Sequence, residues 1–85
     1  MAERQENTFR LVIASVSDTR FDGPAVSATL PGSAGEFEIL PHHEPFVSTL
    51  KPGKITVKQT GGAKKEFSVE SGVVECSGNR AVVLL

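Results

Sequence analysis

His42, His43 and Glu44 stand side by side in this chain, and imidazole beside carboxylate is the material of metal sites and acid–base pairs. Adjacent side chains on extended backbone point to opposite sides, so the two histidines do not readily share one ion. Further ligands would have to fold in from Glu36, Glu38 or Glu75. Solvent or partner contact is therefore the expectation at this knot, and metal binding is not. Glu36 and Glu38 lie two residues apart and share one strand face, the spacing of a paired acid and base. Without a pocket around them they read as a solvated edge. Ser33 or Ser48 with His43 and Asp18 or Asp22 can be drawn as a triad, but no strained nucleophile turn surrounds either serine. Gly32-Ser33-Ala34-Gly35 lacks the following helix and the lysine of a phosphate-binding loop. Cys76 is the one cysteine, so an intramolecular disulfide and a cysteine-based zinc site are excluded. Its apolar setting, Val73-Val74-Glu75-Cys76, is that of a small buried thiol. These residues give no reason to expect catalysis, a cofactor or a metal.

The elements that position them are strands. Residues 35–53 hold three of the five prolines and both histidines. Proline fixes its own φ and pushes the preceding residue toward extended geometry. The segment thus reads as a strand through Phe37, Ile39 and Leu40, a rigid loop from Pro41 to Pro45, and a second strand from Phe46. A turn at Lys51-Pro52-Gly53 follows. Rigid polar loops between strands are more often docking surfaces than catalytic clefts.

Along the rest of the chain, residues 9–16 put Phe9, Leu11 and Ile13 on one strand face. Residues 18–23 are turn-rich, with Phe21 as an apolar anchor. A second strand over 25–30 places Val26, Ala28 and Leu30 together, and 31–35 reads as a loop. Lys54 to Gln59 alternates, with Ile55 and Val57 inward. Gly61-Gly62 closes a hairpin, and Phe67 and Val69 lie inward on the return strand 65–70. Residues 72–76 and 81–85 form two more strands around a tight turn at Ser77-Gly78-Asn79-Arg80. Short strands with turn signals about every ten residues specify an all-β antiparallel sandwich or flattened barrel.

Eighty-five residues make one domain, here a polar, frayed tail over 1–8 and a sandwich over 9–85. A net charge of −1 argues against general nucleic-acid binding. Lys58, Lys64 and Lys65 cluster, but Glu66 and Glu70 follow, as on a solvated hairpin rim. No stretch approaches the ~20 apolar residues of a membrane-spanning helix, so membrane association is expected only through another protein.

The order of these motifs resembles a known family. Gly35-Glu36-Phe37-Glu38-Ile39-Leu40-Pro41-His42-His43-Glu44-Pro45, then Leu50-Lys51-Pro52-Gly53, then Val74-Glu75 before Gly78-Asn79-Arg80-Ala81-Val82-Val83-Leu84, is similar to the epsilon subunit of F-type ATP synthase, named delta in mitochondria. The similarity runs over about residues 9–85. It implies a flattened sandwich of about ten strands at the foot of the central rotor stalk. It implies a non-catalytic subunit that links the gamma subunit to the c-ring and so couples proton translocation to ATP synthesis. Gly35-Glu36 and Pro41, His42 and His43 match family loops facing the polar loops of that ring. The gamma-facing side carries no short motif, and exposed apolar residues near Phe21 and the central strands are its candidates, Phe21 foremost. The implied location is the cytoplasmic face of a bacterial plasma membrane, reached through the complex. His42 stands where the family usually has glycine, Glu38 replaces another frequent glycine, and Glu44 replaces a small residue. A lost glycine alters the loop if its position needs positive φ. The family usually adds a helical hairpin after the sandwich; none falls within these 85 residues, and the hairpin's inhibitory and ATP-binding properties are not carried over. A protonated His43 paired with Glu36 would make docking vary between about pH 5 and 8. The alternative is a standalone interaction adaptor on the same fold, separated from a rotor subunit by whether it co-purifies with gamma.

Overall fold

Phe9, Leu11 and Ile13 alternate with Arg10 and Val12, and that period of two is realised as strand β1 (Phe9–Ala14), whose first, third and fifth residues are buried. The computed structural model describes residues 7–85. The polar start of the expected frayed tail, residues 1–6, lies outside the described residues. Eight further strands follow: β2 (Thr19–Ala25), β3 (Ser27–Gly32), β4 (Gly35–Ile39), β5 (Phe46–Leu50), β6 (Gly53–Lys58), β7 (Lys64–Val69), β8 (Gly72–Ser77) and β9 (Arg80–Leu84). One short 3-10 turn, Thr60–Gly62, joins β6 to β7, and its two glycines take φ of 87° and 92°. Nine strands thus account for the described residues, against the expected ten or so.

The strands form one sheet folded over on itself, in the order β2-β1-β9-β8-β5-β3-β6-β7, with β4 on β3. The fold-over lies between β5 and β3, which share the single pair Gly32–Leu50. All pairings are antiparallel except β1–β9, which runs parallel from Arg10–Arg80 to Ala14–Leu84. The two leaves enclose one core, in which Leu11, Ile13, Val74 and Val83 face Leu30, Ile39, Ile55 and Val57, all fully buried. Aromatic pairs seal the margins. Phe21 of β2 meets Phe67 of β7 edge-on, ring centroids 6.0 Å apart, and so joins the two ends of the strand order. Phe37 of β4 meets Phe46 of β5 at 5.4 Å and 90°. T-shaped contacts of this kind set the positive ring edge against the negative face of its partner.

Two expectations are corrected here. The turn-rich link over 18–23 is largely strand, because β2 pairs with β1 from Phe9–Ala25 to Ala14–Thr19 and buries Phe21 and Ala25 on one face. As an end strand it tolerates Pro24, which has no N–H to give to a ladder. Phe21 is correspondingly not an exposed anchor: it is 7% exposed and belongs to the core. Pro31 and Gly32, expected in a loop, extend β3, and the loop proper shrinks to Ser33 and Ala34.

Candidate functional site

The loop from Leu40 to Pro45 hangs from the end of β4 and is held from outside as much as from within. The His43 N–H donates to the Leu40 carbonyl at 3.2 Å, which closes a turn around Pro41 and His42. His42 sits at φ 63°, in the left-handed region. The backbone that a glycine would supply is therefore kept although the side chain is histidine. Its N–H donates to Asn79 Oδ1 at 2.7 Å. Asn79 Nδ2 in turn donates to the Thr8 carbonyl at 3.0 Å, and the Asn79 carbonyl accepts from the Arg10 N–H at 3.2 Å. Gly78 and Asn79, both at φ 58°, are the central pair of the β8–β9 hairpin, and positive φ at both is the mark of a type I′ turn. One side chain thus ties together the loop, the start of β1 and the β8–β9 turn.

His43 has different partners. Its Nδ1 lies 2.8 Å from the Glu44 carbonyl, and its ring meets Phe46 edge-on at 5.0 Å. Phe37, Phe46 and His43 therefore form a row of edge-to-face rings leading from the sandwich margin to the exposed loop.

Gly35 and Glu36 lie at the opposite end of β4. Gly35 opens the strand opposite Gly32, with φ at 136°, and Glu36 pairs with Pro31. Since a strand rises about 3.3 Å per residue, Gly35 and Pro41 are on the order of 20 Å apart. The structure thus brings Pro41, His42 and His43 together and holds Gly35 and Glu36 at the far end of the same strand. His43 and Glu36 are not an ion pair, because the length of β4 separates them. Glu36 and Glu38 do share an exposed face of β4. Among the described residues neither joins an ion pair; the three bridges are Arg10–Asp22, Arg20–Asp18 and Lys54–Glu66. Among the described residues β4 pairs with no strand but β3, so it forms a carboxylate-bearing margin that ends in the histidine loop.

Three of the exposed large apolar residues lie on the outer side of β5, β8 and β9, with Leu40 and Val16 exposed elsewhere. Val73 is opposite Leu84, Val47 is opposite Glu75, and Val47, Val73 and Leu84 are exposed by 68%, 42% and 58%. Cys76 faces the core, where burial pushes its thiol pKa up. Among the described residues no three histidine, cysteine or acidic side chains gather closely enough to hold a metal ion, and no helix is long and apolar enough to cross a membrane. Sequence reasoning missed Asn79. The available signal was a polar amide in a two-residue Gly-Asn turn, but its partners, 37 and 71 residues away, have no trace in local pattern.

Residues 8–85 match the family described as the ATP synthase delta/epsilon chain β-sandwich domain. An ATP synthase epsilon chain from Janthinobacterium sp. is 37% identical over 79 residues, covering 92% of this chain and 56% of the relative. The chain thus spans about half the length of that relative. The epsilon chain of Chlorobium limicola is 33% identical over 79 residues, covering 93% of this chain and 90% of its own length. In solved assemblies, a chain of the Euglena gracilis mitochondrial ATP synthase (OSCP/F1/c-ring) superposes with a TM-score of 0.87 at 20% identity, covering 99% of this chain and 54% of that one. A chain of the Tetrahymena thermophila mitochondrial ATP synthase central stalk and c-ring gives 0.74 at 17% identity, with 98% and 65% covered. At these identities the superpositions show the shared fold.

Proposed function

The chain belongs to the ATP synthase delta/epsilon β-sandwich family, and we propose that it is a non-catalytic rotor subunit joining the gamma shaft to the c-ring. In that place it passes proton-driven ring rotation to the shaft, on the cytoplasmic face of a bacterial plasma membrane. The observation that carries this reading is the family match over residues 8–85, together with a β4 margin whose carboxylates have no partner within the described chain. A torque-bearing joint needs a stiff body and two separate contacts. The folded sheet with aromatic-sealed margins supplies the first.

The ring-facing surface runs along β4, from Gly35 and Glu36 to Pro41, His42 and His43. Glu36 offers a carboxylate to basic or polar ring-loop groups, and Pro41 and Pro45 limit the freedom of the loop. Phe21 itself is buried, which favours the central strands for the shaft side. There the exposed Val47, Val73 and Leu84 of β5, β8 and β9 suit an apolar neighbour. A stable joint of this kind buries about 1,000 Å² or more in total.

Because the two halves of the ring-facing margin are separated by a strand, they can be tested apart. Glu36→Gln and His43→Ala are measured separately for association with purified c-ring at graded salt. Each is expected to weaken association, and the Glu36 contribution to fade as salt screens it. Unchanged association in both variants at low salt refutes the assignment of β4 to the ring.

A further inference from the structure

We infer that Asn79 is the positioning residue of the 40–44 loop, holding His42 in its left-handed conformation and fixing the direction in which His43 is presented. Asn79 thereby acts as a clamp on the loop, and its consequence for docking rests on the ring-facing reading above.

The geometry defines the clamp. A side-chain amide has one acceptor oxygen and two donors on nitrogen. Asn79 uses the oxygen on the His42 N–H at 2.7 Å and the nitrogen on the Thr8 carbonyl at 3.0 Å. Both partners are main-chain groups outside the regular ladders, at the exit of β4 and the entry to β1. Left alone, such loop groups would be satisfied by water and the loop would sample other conformations. His42 has particular need of an external tie, since a residue with a Cβ does not favour φ 63° by itself. The amide, in turn, stands in a fixed place, because the two-residue turn sets its backbone and the Arg10 N–H bonds its carbonyl. Position passes from the hairpin to Asn79, from Asn79 to His42, and from His42 to the adjacent His43 with its edge contact on Phe46.

Asparagine is suited to both demands. It accepts left-handed backbone better than most residues, and it carries donor and acceptor on one short side chain. Asn79→Gly keeps the turn and removes both side-chain bonds. Asn79→Asp keeps an acceptor for the His42 N–H and loses the donor toward Thr8.

The test is amide hydrogen exchange on the whole chain, followed residue by residue, with c-ring association measured on the same preparations. In the unaltered protein the His42 amide is expected to be protected. In Asn79→Gly its exchange should rise about five- to tenfold, the loss expected for one hydrogen bond, while Val74 and Val83 amides in the core keep their rates. In Asn79→Asp the His42 amide should stay protected. Ring association should fall in Asn79→Gly and be better kept in Asn79→Asp. An unprotected His42 amide in the unaltered protein overturns the clamp, whatever the variants do. Unchanged His42 exchange in Asn79→Gly, or faster exchange spread evenly through the core, overturns it as well. A freed loop with unchanged ring association leaves the clamp standing and overturns the docking role and the ring-facing reading beneath it.

Discussion

Replacing His42 by glycine is expected to stabilise this protein, and the reason can be worked from one backbone angle. His42 lies at φ 63°. For a residue with a Cβ, left-handed backbone costs about 1–2 kcal/mol. Glycine escapes that cost but brings a freer unfolded chain, which takes back about 0.4–1 kcal/mol. The histidine side chain is exposed and the bond to Asn79 uses its backbone N–H, so truncation removes little else. The middles of those two ranges leave a net gain of about 0.8 kcal/mol. In a domain of this size 1 kcal/mol moves the melting temperature by about 4–8 °C, so His42→Gly should melt about 3–6 °C higher. His42→Ala is the control: it keeps the Cβ and should stay within about 0.5 kcal/mol of the starting protein. Thermal and urea unfolding on the three proteins read the difference, with an unchanged urea slope showing that the unfolded states are comparable. If His42→Gly is no more stable than His42→Ala, the left-handed angle carries no strain and the reasoning fails.

Gly32→Ala should do the opposite. Its new methyl would stand 2.6 Å from the Gly35 carbonyl oxygen and 2.8 Å from the Phe37 ring, so a loss of about 1–3 kcal/mol is expected in urea unfolding. A change smaller than about 0.5 kcal/mol would mean that the β3–β4 turn shifts freely. Cys76 should alkylate slowly in the folded protein at neutral pH and faster in urea, since burial shields the sulfur from the reagent and lowers its thiolate fraction further. Its raised pKa also fixes a sign. The folded state holds the thiol proton beyond the ordinary value of 9.0, so this group's contribution to stability declines as pH rises past that value. Cys76→Ala should flatten that part of the stability profile, and an identical profile would contradict it.

How much was legible in the sequence depended on whether the governing contact was local. β1 and β6 could be read from alternation, because each buries one face and exposes the other, and β7 follows the pattern at Phe67 and Val69. β2 could not, since Asp22, Gly23 and Pro24 carry turn signals and only the margin position makes them acceptable in a strand. Pro31 and Gly32 misled in the same way: they lie where β3 passes from β6 to β5, and Gly32 is needed there by the closeness of Phe37. The parallel β1–β9 pair joins strands from the two ends of the chain, a relation that no periodicity encodes. At the candidate site the proline loop and the exposed carboxylates were legible as types and spacing. That β4 holds Glu36 and His43 apart followed from strand geometry only once the bounds of β4 were known. Phe21 was misjudged because an isolated phenylalanine among turn residues does not reveal that Phe67 waits across the margin.

The central claim is membership of a rotor, and capture of the tagged chain from gently solubilised membranes of cells that make it tests this directly. The account predicts recovery of the c-ring and the gamma shaft together with the chain in fixed proportion. An ATP synthase that purifies intact, with ring and shaft present and this chain left behind, would contradict it.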